Sequence, residues 1–246
     1  MRELMEYIRQ YDPAFSSRVE GASQEEVARL EQLVGQPLPA RYKQFLRTLG
    51  RSMGDLQAED TDFRIERVLK FYENSKRRPP ARYILIGAQV ADTYDQYLLD
   101  RAAASGEEDC AVVQADPAEP FTSTDYIHTL YPSLQDMLFV LAFSTKRMAM
   151  LPHRRDFLPS LVDSGKGRLR IVPSGLLDSL EGILGRLGFQ KLPYTSALNP
   201  LFERGDAALY ASRSPEGDGV TIELGAEDQR EFRRLSEILR DNTPLV

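Results

Sequence analysis

Residues 21 to 50 read Gly21-Ala22-Ser23-Gln24-Glu25-Glu26-Val27-Ala28-Arg29-Leu30-Glu31-Gln32-Leu33-Val34-Gly35-Gln36-Pro37-Leu38-Pro39-Ala40-Arg41-Tyr42-Lys43-Gln44-Phe45-Leu46-Arg47-Thr48-Leu49-Gly50. Ser23 stands three places before Glu26, the spacing at which a hydroxyl and a carboxylate cap a helix start reciprocally. Val27, Leu30, Leu33 and Val34 then recur at helical spacing until Gly35 stops the run. Pro39 suits the first turn of a second helix over Ala40 to Leu49, which puts Tyr42, Phe45, Leu46 and Leu49 on one side. Two short amphipathic helices joined at Leu38-Pro39 need a surface to pack on.

The sequence on either side supplies one. Upstream, Glu3 to Tyr11 predicts a short helix broken at Asp12-Pro13, and Arg64 to Tyr72 another with Ile65, Val68, Leu69 and Tyr72 inward. From Tyr83 the period changes: Tyr83-Ile84-Leu85-Ile86 is a compact apolar run ending at Gly87, short enough for a buried strand. Tyr94 to Leu99 and Cys110 to Gln114 are two further strands, which makes an antiparallel meander, and Ser133 to Phe143 predicts a helix closing on it. Positions 94 and 97 fall on opposite faces of a strand, so one of Tyr94 and Tyr97 is expected inside and one outside.

The pattern restarts in the second half. Strands are predicted at Arg168 to Val172, Phe189 to Tyr194, Ala207 to Ala211 and Val220 to Leu224, with helices over Ser174 to Leu187 and Glu227 to Leu239. Pro152, Pro159, Ser164 and Gly165 cluster between the halves. The expected organisation is therefore α+β throughout: a first domain at 1–149, a linker at 150–166 and a smaller α+β domain at 167–246.

Composition narrows the chemistry. Among 246 residues there are one Cys and two His, so neither an intrachain disulfide nor a Cys/His zinc cluster can be built. The formal charge of −6 works against binding phosphate backbones, and nucleic acid is not expected as a partner. Met1-Arg2-Glu3-Leu4-Met5-Glu6 mixes charges where a secretory signal needs an apolar run, and no membrane-spanning stretch is present, so the cytoplasm is the expected address.

The run Gly21-Ala22-Ser23-x-x-Glu26-x-x-x-Leu30-Glu31-x-Leu33-x-Gly35-x-x-Leu38-Pro39-x-x-Tyr42-Lys43-x-Phe45-Leu46-x-x-x-Gly50 resembles the opening of the SUKH superfamily. The strand Tyr83-Ile84-Leu85-Ile86-Gly87 and the helix carrying Leu134, Met137 and Leu138 follow in the order that family uses. The resemblance covers about residues 20 to 145. It implies helices packed on an antiparallel sheet, and a non-enzymatic binding role: bacterial members act as immunity proteins that block a cognate toxin, and fungal relatives are regulatory interaction proteins. A regulatory or scaffold module without a toxin partner is thus the alternative expectation. Neither role uses a cofactor or a metal. The chain has no Trp, which the family often carries, and nothing after about residue 151 resembles the family.

Catalytic readings compete poorly with structural ones. A Ser-His-Asp or Cys-His arrangement would need His128 or His153; His128 reads as a surface or hydrogen-bonded residue near a helix or loop start, and His153 as linker. Cys110 reads as a buried small hydrophobe. Ser164-Gly165-Lys166-Gly167-Arg168 lacks the spaced glycine and the hydroxyl of a phosphate-binding loop. Glu25-Glu26 belongs to a helix start, and Glu107-Glu108-Asp109 to an exposed turn. More distinctive are Asp55, Glu59, Asp60 and Asp62, four carboxylates within eight positions, which Asp92 and Asp95 would extend if their loops converge. Such a rim would speed association with a basic protein partner such as a nuclease toxin. These six residues are the expected partner-binding set.

Overall fold

The structure, a computed structural model, describes residues 1–56, 61–75, 78–89, 96–104, 108–115, 126–163, 168–170, 172–213 and 219–246. It divides into two compact units, Met1–Thr145 and Lys146–Val246.

The first unit runs α1 (Arg2–Tyr11), β1 (Val19–Glu20), α2 (Gln24–Val34), α3 (Ala40–Leu49), β2 (Ser52–Met53), β3 (Thr61–Asp62), α4 (Ile65–Asn74), β4 (Tyr83–Gln89), β5 (Gln96–Ala104), β6 (Cys110–Ala115), β7 (Ile127–Tyr131) and α5 (Leu134–Ala142). The capping box forms: the Ser23 hydroxyl accepts the Glu26 amide at 3.2 Å, while the Glu26 carboxylate accepts the Ser23 amide at 2.7 Å. Gly35 closes α2 with φ of 78°, a conformation that favours glycine. All four predicted inward residues of α3 are buried, and the Tyr42 and Phe45 rings stack at 5.9 Å. Gly21 has its own cause. A Cβ there would lie 1.9 Å from the Arg47 carbonyl oxygen, because the chain is drawn against the end of α3, where the Ala22 amide donates to the Leu46 carbonyl.

These helices accompany a five-stranded antiparallel meander, β3-β4-β5-β6-β7, while β1 pairs with β2 separately. Residues 83 to 88 of β4 are all buried, which explains a continuous apolar run rather than an alternating one. The Tyr72 hydroxyl of α4 accepts the Leu85 amide at 3.0 Å, tying helix to sheet. Next to it the β4–β5 register shifts between Leu85 and Gly87, and a Cβ on Gly87 would come within 2.7 Å of the Phe63 ring. Eight of the nine residues of α5 are buried. Its neighbour α1 contributes Tyr7, whose ring stacks parallel to Phe143 at 6.5 Å.

The second unit contains β8 (His153–Phe157), β9 (Leu161–Asp163), β10 (Arg168–Arg170), α6 (Leu176–Arg186), β11 (Gln190–Lys191), β12 (Leu201–Arg204), β13 (Ala207–Arg213), β14 (Val220–Ala226) and α7 (Gln229–Asn242). Its antiparallel sheet has the order β11-β12-β13-β14-β8, and β9 pairs with β10 apart from it. Alternate residues Leu209, Ala211, Ile222 and Leu224 join Leu180, Ile183 and Leu184 of α6 and Leu235 and Leu239 of α7 in one core. Each fully buried leucine there contributes about 1.5–3 kcal/mol of hydrophobic stabilisation.

Several expectations need correction. Residues 153–157, expected within a linker, are the strand β8 on the edge of the second sheet, and His153 is its first residue. Pro152 and Pro159 bracket that strand rather than disrupt it, since an edge tolerates proline, and the charges of Arg154, Arg155 and Asp156 hid its β character. His128 lies within β7, a strand not foreseen. The strand expected over Tyr94 to Leu99 begins at Gln96 and runs to Ala104, with Tyr94 outside the described residues. The one expected over Phe189 to Tyr194 shrinks to Gln190–Lys191, and β12 was not anticipated. Among the described residues no helix is long and apolar enough to cross a membrane.

Candidate functional site

Register fixes where the acidic stretches attach. Thr61 pairs with Gln89, Gln96 with both Ala88 and Ala115, and Ala115 with Ile127. The chain therefore enters β3, leaves β4, enters β5, leaves β6 and enters β7 at one end of the first sheet. Of the six predicted partner-binding residues, Glu59, Asp60, Asp92 and Asp95 lie outside the described residues. Their described neighbours all belong to that end. Asp62 is one residue inside it, on β3.

Asp62 is not a bare carboxylate. The Arg64 guanidinium meets it in a two-point fork, Nε to Oδ1 at 3.0 Å and the terminal nitrogen to Oδ2 at 2.8 Å, and the Arg64 amide donates to Oδ1 as well. That fork holds the Asp62 carboxyl below the usual carboxylate range. Asp55 stands apart from the sheet, in the turn after β2, where it lies 3.6 Å from Arg18, a residue also bonded to Asp12. Asp55 and Asp62 each face an arginine, Arg18 and Arg64.

Beside Asp62 the surface dips into an open hollow of about 270 Å³, lined among the described residues by Asp62, Arg64, Glu66, Arg67 and Lys70. Arg64 precedes α4 as its extended N-cap residue, and Arg67 and Lys70, three positions apart, share one face of the helix. These cations were not foreseen as a group, because only the fold brings Asp62 on β3 beside the start of α4.

The remaining candidates are structural. Glu26 belongs to the capping box and also takes a fork from Arg51, which holds its carboxyl down and ties α2 to the loop after α3. Asp109 corrects an expectation: rather than sitting in an exposed turn it is buried, accepting the amides of Cys110, Leu134 and Gln135 at 2.8, 3.1 and 3.1 Å. It caps the start of α5 from the other side of the sequence. Burial pushes its carboxyl above the ordinary range in spite of those bonds. Cys110 is buried, and desolvation raises its thiol, the opposite of an activated nucleophile. Among the described residues no group of three His, Cys, Asp or Glu is placed to hold a metal ion.

The model of the SMI1 / KNR4 family (SUKH-1) matches residues 21–139, from the glycine against α3 to the middle of α5. That family is often associated with immunity to toxins and is generally non-catalytic. No curated protein matches the chain. The N-terminal part of this 246-residue chain, residues 21–139, is a SMI1/KNR4 (SUKH-1) family domain, followed by a separate α+β region with its own five-stranded sheet.

Proposed function

We propose that the protein is a non-enzymatic immunity protein that binds a basic toxin at the acidic end of its first sheet and occludes it. One observation carries the choice of surface. Stretches 57–60, 90–95 and 116–125 all connect strands at that end, and together they hold Glu59, Asp60, Asp92, Asp95, Asp116, Glu119 and Asp125 without one Lys, Arg or His. Seven carboxylates without a countercharge in those stretches, beside Asp62, produce a negative field that steers a cationic partner and disfavours acidic ones. Asp55 belongs to this reading as an outlying member, already bridged by Arg18. The two regions are proposed to act as separate domains, with the SUKH-1 part contacting the partner.

The test is to mix the purified chain with effector toxins encoded beside its gene. Loss of toxin activity near one equivalent is expected. Charge reversal at Glu59, Asp60, Asp92 and Asp95 should slow association tenfold or more, as steering on this scale predicts. Absence of binding to every neighbouring product favours instead a regulatory interaction module and overturns the immunity reading.

A further inference from the structure

The sheet of the second unit ends at β8, which among the described residues pairs with β14 on one side only. Just beyond β8, Leu158 directs its N–H and C=O to Val246, at 3.4 and 3.0 Å, and the Ser160 amide donates to the Pro244 carbonyl. Backbone groups alternate from side to side along a strand, so Asp156 and Arg154 direct theirs outward as well, whereas His153, Arg155 and Phe157 face β14. Pro152 fixes the same phase: having no N–H, it cannot supply the bond that a pair at His153 needs under the opposite alternation. No described residue bonds to the outward groups, and Arg154, Arg155 and Asp156 are all exposed. Two N–H and two C=O groups therefore stand open on an antiparallel edge, the condition for strand addition.

Charge decides which strand fits. Arg155 and Arg240 of α7 both lie against the Phe157 ring, 5.6 and 5.7 Å from its centroid, on the helix-covered side of the sheet. Neither meets a carboxylate within ion-pair distance among the described residues. On the other side of the sheet Asp156 stands opposite Glu223, a like charge with no cation on the open edge to offset it. We propose that the outer edge of β8 binds an extended segment of another protein in antiparallel register, with an acidic side chain opposite Arg155 and a basic one immediately before it, opposite Asp156. The segment starts opposite Phe157, because Val246 occupies the place beside Leu158. A second copy of β8 does not satisfy this pattern: with Arg154 of one copy opposite Asp156 of the other, Arg155 meets Arg155. The charges that keep apolar strands off the edge thus select the segment. The site lies within the second unit and does not depend on toxin binding at the first sheet.

The experiment follows backbone amide shifts of the full chain during titration with acetyl-Val-Lys-Glu-Thr-Thr-amide, whose Lys, Glu and first Thr are set against Asp156, Arg155 and Arg154. Saturable shifts centred on residues 153 to 157 are expected. N-methylation of the peptide's Lys and first Thr, whose amides face β8, should abolish binding, while N-methylation of its Glu, whose amide faces away, should leave it. Replacing the peptide's Glu by Lys should weaken binding about threefold or more, and Arg155→Glu in the protein should reverse that preference. Shifts centred elsewhere, binding that survives N-methylation of Lys and Thr, equal affinity for the Glu and Lys peptides, or no saturation at millimolar peptide would overturn the proposal. So would a dimer of the free chain with its β8 amides protected from exchange, which puts a second copy on the edge. No toxin enters this titration, so its outcome and that of the toxin assay are independent.

Discussion

Ser23 and Asp109 both satisfy amides at a helix start, one locally and one across the fold. Ser23→Ala removes the acceptor of the Glu26 amide and should cost about 1 kcal/mol in urea denaturation, the ordinary value of such a cap. Asp109→Ala leaves three amides without their acceptor in a buried place, so a larger loss, roughly 2–3 kcal/mol, is expected by the same measurement. A smaller effect at Asp109 than at Ser23 would contradict the bonding described. The contrast also explains what could be read in advance. The partner of Ser23 is three residues away and shows in any window of the sequence. Two of the three amides held by Asp109 belong to residues 25 and 26 positions downstream, so only the folded chain reveals them. Gly21→Ala is the third test at this scale: a Cβ at 1.9 Å from a carbonyl oxygen must displace backbone, and the substitution should destabilise by more than 1 kcal/mol.

Helices with caps and one apolar face were legible because the whole signal lies within each element. Ends moved by only a few residues, as in α7, expected from Glu227 and observed as Gln229–Asn242 with Asp228 capping it. Short strands, most of them at sheet edges, were the failure, with β12 an unforeseen interior one. β7 reads Ile-His-Thr-Leu-Tyr without clean alternation, and β8 is charged at three of its five positions, so in both cases pairing with a neighbour supplies what local pattern does not. The first turn of α7 also carries a pH dependence. Glu231 is bound by Arg234 and by Arg204 of β12, which together pull its carboxyl down to about 2 from an ordinary value near 4.5. A depressed carboxyl stabilises the fold above its unfolded value and loses that contribution as pH falls. Stability of the second unit should therefore decline between pH 4.5 and 2, by on the order of 2 kcal/mol once solvent screening is allowed for. Glu231→Gln should flatten that part of the stability curve; an unchanged slope would mean that the pair does not hold the helix.

At the scale of the whole molecule the informative quantity is where charge accumulates. Four of the six acidic residues singled out from sequence lie outside the described residues, in stretches whose described neighbours Thr61, Gln89 and Gln96 stand at one end of a single sheet, near Asp62. That Thr61, which follows 57–60, pairs with Gln89, which precedes 90–95, was invisible in sequence, because it depends on β3 pairing with the far end of β4. If this end guides a partner, raising salt from about 0.05 to 0.5 M should reduce the association rate at least tenfold while the dissociation rate changes little, since exposed charges are screened beyond a few ångströms at such ionic strength. Rapid-mixing fluorescence reads both constants.

The most direct test of occlusion is a titration of toxin activity against this protein at fixed toxin concentration. Activity should fall linearly to background at one equivalent and return when the complex is diluted far below its dissociation constant. Undiminished toxin activity beyond several equivalents, or its permanent loss at a small fraction of an equivalent, would contradict the account, the latter because only a catalyst turns over.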